Sequence, residues 1–265
     1  MVGDRSYGSA VMLDTKVLYI GGGGAGSTQN PCPGNLPTNT AEIIDLAAAS
    51  PSWSLVAPMN IGRRQTNATI LPDGKVLVTG GSSQCGFTNE AGAVFAPEIW
   101  DPDGSPTDGR GKWTLMATAG VVRVYHSTTV LLADGRVLSA GSGDGGGVTP
   151  QYTYEIYSPP YLFKGPRPTY NLGSGTIRYG APFVVTTPNA ASIRKVTLIR
   201  LSSSTHAFDM GQRLNTLGFT AAADGQSLTV TPPAAGRLAP PGPYQLFIVN
   251  DKGVPSVGRT VLVGP

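Results

Sequence analysis

TNATILPDGKVLVTGG, residues 66–81, reads as an apolar strand, a tight turn at Asp73–Gly74, and a second apolar strand that stops at a glycine pair. That is the sequence form of a β-hairpin. The same form occurs on either side of it, as GSAVMLDTKVLYIGGG at 8–23 and STTVLLADGRVLSAGS at 127–142. Asp14 and Asp73 are 59 residues apart and Asp73 and Asp134 are 61 apart, so the chain carries an internal repeat. The second halves of the units also correspond, as TAEIIDL at Thr40, APEIWDP at Ala96 and YEIYSPP at Tyr154. Trp53 and Trp113, then Met59 and Met116, follow the first two at similar offsets, so four strands are expected in each unit.

Four strands, a glycine pair after the second and a Trp before the fourth resemble the blades of Kelch-type propellers. A β-sandwich with chance similarity is the competing reading, and three register-matched units argue against it. The pattern changes near Pro166. GPRPTYN (165–171) forms a proline-rich joint, and beyond it come short alternating runs such as APFVVTT, KVTLIRL, QSLTVTP and PYQLFIVN, without a glycine pair. Such spacing suggests an immunoglobulin-like sandwich. The expected fold is therefore all-β: a partial Kelch-type β-propeller of about three blades over residues 1–165, followed by an immunoglobulin-like β-sandwich over 166–265. Propellers close with roughly 4 to 8 blades, so the chain is expected to be the C-terminal part of something longer.

Composition agrees with this reading. Among 265 residues, 36 Gly and 23 Pro with 13% charged residues describe many short elements joined by tight turns, and 40% hydrophobic residues exclude a disordered chain. Gly or Pro interrupts almost every window long enough for helical periodicity. A net charge of +3 without a basic run gives nucleic-acid binding no support. No apolar run is long enough to span a membrane. MVGDRSYGSAVML lacks the order of a secretory signal, which leaves a cytoplasmic protein or a chain that starts after its signal. Cys32 and Cys85 have neither CxxC spacing nor a nearby His, so a structural zinc site is set aside. They fall in equivalent loops of successive units and allow either a disulfide or two thiols. GSGDGGG at 141–147 is followed by no helix and no Lys-Ser/Thr, which excludes a phosphate loop. Tyr152, Tyr154, Tyr157 and Tyr161 read as packing at the joint.

The chain has two histidines, and both lie in settings suited to metal ligation. His126 follows Tyr125 in RVYHSTTVLLADGRVL (123–138), and His206 lies in IRLSSSTHAFDMGQR (199–213). Imidazole and phenolate suit Cu(II) in a tetragonal field, and an open position can accept a substrate hydroxyl. Adjacent strand residues point to opposite faces, so Tyr125 and His126 reach one metal only past a strand end or at a bulge. The approach through Gly120, Val121 and Arg123 permits this. Arg64 and Gln65 occupy the equivalent positions in the preceding unit, so the blade itself does not require the Tyr-His pair. The alternative is a blade residue at His126 and a surface loop residue at His206.

RVYHSTTVLLADGRVL, YSPPYLFKGPRP (157–168), IRLSSSTHAFDMGQR and PGPYQLFIVNDKGVPSVG (241–258), in this order and spacing, resemble the C-terminal half of the copper radical oxidases. That family contains galactose oxidase and glyoxal oxidase, and the resemblance covers nearly the whole chain. It implies a secreted enzyme that oxidises a primary alcohol, aldehyde or carbohydrate with O2 and releases H2O2. It implies copper held by Tyr125 as axial ligand and by His126 and His206 as equatorial ligands, with Tyr125 as the base that takes the substrate hydroxyl proton. His206 would arrive on a hairpin sent from the sandwich up the propeller axis. The family's remaining ligand, a radical tyrosine thioether-linked to cysteine, has no match here, and neither Cys32 nor Cys85 lies in the corresponding context. Weak copper binding and no appreciable oxidase activity are therefore expected of the chain without its missing N-terminal blades. Phe87, in SSQCGFTNEAG (82–92), falls where the family places a substrate-contacting aromatic; a loop aromatic covering the blade is the other reading. The form of TAEIIDLAAASPSWSLVAPM (40–59) leans toward glyoxal oxidase. A non-catalytic Kelch-type scaffold that binds glycan or protein is the alternative function.

Overall fold

The computed structural model describes residues 3, 5–23, 36–86, 89–105, 107–143 and 148–265. Among them there is no α-helix, and the chain is all-β as expected. The first repeat unit holds β1 (Ser9–Leu13), β2 (Lys16–Ile20), β3 (Ala41–Asp45) and β4 (Ser54–Leu55). The second holds β5 (Asn67–Ile70), β6 (Val76–Thr79), β7 (Glu98–Asp101) and β8 (Lys112–Leu115). The third holds β9 (Thr128–Leu131), β10 (Val137–Ala140) and β11 (Tyr154–Tyr157). Each unit is an antiparallel meander in chain order. The third has three strands where the repeat predicts four. After Tyr157 the chain meets Pro159 and Pro160, which cannot donate to a sheet ladder, and it turns into a 3₁₀ segment at Pro160–Phe163.

The hairpin turns read from the sequence are present. At Asp73–Gly74 the Leu71 N–H donates to Lys75 O at 2.8 Å, and Gly74 takes φ +91°. The glycine pair has a packing reason: a Cβ on Gly80 would collide with Arg123 O, and the Gly81 N–H donates to Arg123 O at 2.7 Å. Gly22 donates likewise to Arg63 O at 2.8 Å. Each glycine pair is thus crossed by the chain entering the next unit, and only a bare backbone fits beneath.

That entering chain carries a second recurring device. Arg5 bonds Glu42 at 2.6 Å, Arg63 bonds Glu98 at 2.7 Å, and Arg123 lies 3.6 Å from Glu155. In every unit a buried arginine from the segment before the first strand reaches a glutamate on the third. Glu98 also accepts from Asn60 N, Asn60 Nδ2 and Ile61 N, at 2.7, 2.7 and 3.1 Å. A desolvated pair is tolerable only when its remaining hydrogen-bonding capacity is satisfied in this way.

Beyond the joint the chain forms β12 (Asn171–Leu172), β13 (Thr176–Arg178), β14 (Phe183–Thr186), β15 (Ile193–Arg200), β16 (Ser204–Thr205) and β17 (Phe208–Asp209). It continues with β18 (Arg213–Leu217), β19 (Phe219–Ala221), β20 (Ser227–Val230), β21 (Gly242–Asn250) and β22 (Arg259–Gly264). One sheet runs β12-β14-β20-β19, and the other runs β13-β22-β21-β15-β18. Val185, Leu228, Leu198, Leu246 and Tyr244 fill a common core. The second sheet does not end at β18: β18 pairs in parallel with β1, so hydrogen bonding runs without a break into the first repeat unit. Ile199, Leu214 and Phe247 join the apolar core of the repeat units across the same junction.

Candidate metal centre

Tyr125 and His126 lie just before β9, in a turn that has left the strand. His126 takes φ +62°, a left-handed conformation costly for a residue with a Cβ, and Tyr125 O is fixed by Gly143 N–H at 2.8 Å. This is the strand-end geometry that the Tyr-His pair requires. The two rings stack face to face, with centroids 3.9 Å apart and planes 25° apart. Relative to the second unit the third has one additional residue between its ion-pair arginine and this turn: Arg63 is followed directly by Arg64–Gln65, whereas Val124 intervenes between Arg123 and Tyr125–His126.

His206 arrives from the sandwich half. β16 and β17 form a two-residue hairpin whose tip is His206–Ala207, with φ values of +55° and +58°. Positive φ at both tip residues is the type I′ turn, the form that matches strand twist. The hairpin packs against β5 and β9 and places the His206 ring 4.8 Å from that of His126 and 5.9 Å from that of Tyr125, centroid to centroid. Its base is pinned by Asp209, which accepts from Ser203 N at 2.9 Å, Gly211 N at 2.8 Å and Gln212 Nε2 at 2.8 Å. Gln212 Oε1 in turn accepts Ile70 N–H on β5 at 2.9 Å, and its own carbonyl accepts Met12 N–H on β1 at 3.0 Å.

The donor set suits copper. His126 Nδ1 is 3.2 Å from Gly143 O, and a carbonyl only accepts, so that hydrogen bond puts the proton on Nδ1 and leaves the Nε2 lone pair for a metal. His206 Nδ1 is likewise engaged, at 2.7 Å from Thr205 Oγ1. Both imidazoles are exposed, so a metal held by them would have open positions. Among the described residues no group of three or more His, Cys, Asp and Glu side chains could hold a metal, and the Tyr125 ring lies 3.9 Å from that of His126 and 5.9 Å from that of His206, centroid to centroid.

Phe87 and Cys32 lie outside the described residues. Cys85 is buried and disulfide-bonded, not a thiol. Two residues on the same rim were not singled out from sequence. Tyr7 and Gln65 occupy, in the first and second units, the left-handed position of His126, with φ +57° and +54°. Gln65 is 1% exposed and neither polar atom of its side-chain amide has a hydrogen-bond partner among the described residues, which leaves a donor and an acceptor for a ligand. The repeat alignment could have found these residues. Nothing in SSTHAFDMGQR reveals that Asp209 and Gln212 anchor the hairpin, because the β5 partner of Gln212 lies 142 residues away.

Residues 6–161 match the sequence model described as glyoxal oxidase N-terminus, and residues 167–263 match that of the galactose oxidase-like early set domain. Galactose oxidase of Gibberella zeae is 31% identical over 98% of this chain and 38% of its own length. The aldehyde oxidase GLOX of Vitis pseudoreticulata is 33% identical over 99% of this chain and 55% of its own. A fungal alcohol oxidase of the AA5 family, solved in complex with copper, superposes with a TM-score of 0.86 at 30% identity over 99% of this chain and 55% of that one. The chain thus spans between 38% and 55% of the length of these relatives. It belongs to the copper radical oxidase family of galactose oxidase and glyoxal oxidase.

Proposed function

We propose that this chain is the C-terminal part of a secreted copper radical oxidase that converts a primary alcohol or aldehyde, free or on a carbohydrate, with O2 to the oxidised product and H2O2. The observation that carries the reading is the convergence of Tyr125, His126 and His206 from sequence positions 80 residues apart. We assign Tyr125, His126 and His206 as copper ligands. Two imidazoles and a phenol leave room for a substrate oxygen, and the bound metal would supply Lewis acidity and one-electron redox capacity. In this reading the Tyr125 phenolate oxygen takes the substrate hydroxyl proton, while Gln65 and Tyr7 orient the substrate from the neighbouring units. The Asp209–Gln212 anchor holds His206 in place, and the disulfide at Cys85 fits an oxidising, extracellular compartment.

Cys85 has its sulfur in a disulfide and offers none for a thioether, and Cys32 does not lie in the family's cysteine context, which supports a radical cofactor supplied from outside this chain. Residues 1–165 then form Kelch-type propeller blades and 166–265 the immunoglobulin-like domain, with the missing N-terminal blades completing pocket and radical. A peroxidase-coupled peroxide assay tests this. The copper-loaded full-length protein should be active, its Tyr125→Phe variant should lose at least about 100-fold, and the 265-residue chain should be silent. Robust peroxide production by the isolated chain, or full activity in Tyr125→Phe, would refute it.

A further inference from the structure

The buried arginine–glutamate pair is complete in the second unit and incomplete in the third. Arg63 donates to Glu98 Oε1 at 2.7 Å, to Ala96 O from both terminal nitrogens at 3.1 Å, to Gly80 O at 3.3 Å and to Ile61 O at 3.4 Å. Glu98 Oε2 accepts both the backbone N–H and the side-chain amide of Asn60, each at 2.7 Å. Strand register equates Glu98 with Glu155, and Gly120 stands three residues before Arg123 as Asn60 does before Arg63. The backbone part of the device survives: Gly120 N–H donates to Glu155 Oε1 at 2.7 Å, and Arg123 Nη1 donates to Gly141 O at 2.8 Å. The side-chain amide is gone, because glycine has none.

Three buried polar atoms are left without a hydrogen-bond partner among the described residues: Arg123 Nε, Arg123 Nη2 and Glu155 Oε2. Arg123 is 3% exposed, and its Nη2 lies 3.6 Å from Glu155 Oε2, too far for a hydrogen bond. Nε–H and Nη2–H form one edge of the planar guanidinium, a fork shaped for a single acceptor group. Beside that fork stands an acceptor, Glu155 Oε2, that has no donor. Buried groups of this kind are costly to leave unpaired and point to an occupant. Both side chains line a cavity of about 150 Å³ whose other walls are apolar, from Phe95, Pro97, Val121, Ile156 and Tyr157. Such a volume takes a molecule of about six non-hydrogen atoms.

We propose that this cavity is a binding site for a small neutral molecule with a primary carboxamide head and a short apolar body. The amide carbonyl accepts from Arg123 Nε and Nη2, and the amide NH2 donates to Glu155 Oε2, the part that Asn60 plays toward Glu98. The apolar body lies against Phe95 and Ile156. A carboxylate has no donor for Glu155 and sets a second negative charge beside it; an ammonium has no acceptor for Arg123 and sets a second positive charge there. A hydroxyl has one oxygen to serve both partners. The carboxamide alone among these heads places a donor and an acceptor on separate atoms of one neutral plane. The site needs no copper and does not depend on the oxidase reading.

Isobutyramide matches the head and the size and is the probe. Two-dimensional amide NMR of the 265-residue chain should show saturable shifts at Gly120, Val121 and Ile156 with a Kd of about 1–10 mM. Isobutyrate, isobutylamine and isobutanol, of the same shape, should bind at least about tenfold more weakly. Gly120→Asn restores the side-chain amide of the second unit, and a Cβ there meets nothing nearer than Glu155 Oε1 at 3.6 Å. This variant should weaken isobutyramide at least about tenfold and raise the urea midpoint by about 0.3 M over Gly120→Ala. Equal binding of any of the three analogues, shifts confined to Gln65 and His126, or no shift up to about 100 mM would each overturn the proposal. Unchanged isobutyramide affinity in Gly120→Asn, or an asparagine variant no more stable than the alanine one, would overturn it too.

Discussion

Replacing Glu98 with Gln should be far more damaging than the same change at Glu155, although the two residues are equivalent in the repeat. The Arg63–Glu98 pair has both side chains at 0% exposure and a 2.7 Å contact, and Glu98 accepts three further hydrogen bonds from Asn60 and Ile61. Burial pulls the pKa of the Arg63 guanidinium down, and the Glu98 charge opposes that pull. Glutamine keeps the shape and one acceptor oxygen but leaves Arg63 as an uncompensated buried cation, which costs about 3–5 kcal/mol. Arg123 and Glu155 are 3.6 Å apart, and the Glu155 side chain is 32% exposed, so solvent screens the loss there to about 1 kcal/mol or less. With a urea m-value of about 3 kcal/mol/M, Glu98→Gln should lower the unfolding midpoint by about 1–1.7 M and Glu155→Gln by about 0.3 M or less. Equal shifts for the two variants would refute the claim that desolvation decides what each pair contributes.

Other consequences follow from the same geometry. Gln212→Ala removes the Gln212–Ile70 side-chain link between the base of the His206 hairpin and β5 and should weaken Cu(II) binding about tenfold by titration calorimetry, with the His126 nitrogen still seen in the copper spectrum. Unchanged affinity would remove Gln212 from the positioning role. Gly80→Ala forces a Cβ against Arg123 O at φ +61° and should cost at least about 3 kcal/mol in urea unfolding. A loss below about 1 kcal/mol would contradict the crossing described for the glycine pair. Burial raises the pKa of Asp73 above 3.8, so its charged form is penalised in the folded state. Because the unfolded chain releases this proton first, the penalty is absent below about pH 3.8 and grows as pH rises through the raised value. Asp73→Asn should therefore gain stability relative to the parent between pH 4 and pH 8, and a constant or shrinking difference would refute this.

The repeat was legible because its hairpins depend on local chemistry: a turn at Asp73–Gly74 and a glycine pair at Gly80–Gly81 are both written within 16 residues. The Tyr125–His126 pair was legible for a related reason, since a comparison with Arg64–Gln65 marks it as something the unit does not need. Long-range consequences were not legible. The parallel pairing of β1 with β18 joins residues 201 apart, and no local pattern announces it. The third unit was expected to have four strands, and Pro159–Pro160 directly after β11 carries the signal that it stops at three. Gln65 is informative only once burial shows its amide without partners.

The central claim is that Tyr125, His126 and His206 hold one copper ion. The direct measurement is electron paramagnetic resonance of the chain with one equivalent of Cu(II), beside His126→Ala and His206→Ala. The account predicts a tetragonal, nitrogen-ligated signal that is lost or changed in both variants, one from the repeat units and one from the sandwich. A signal indifferent to both substitutions would contradict it.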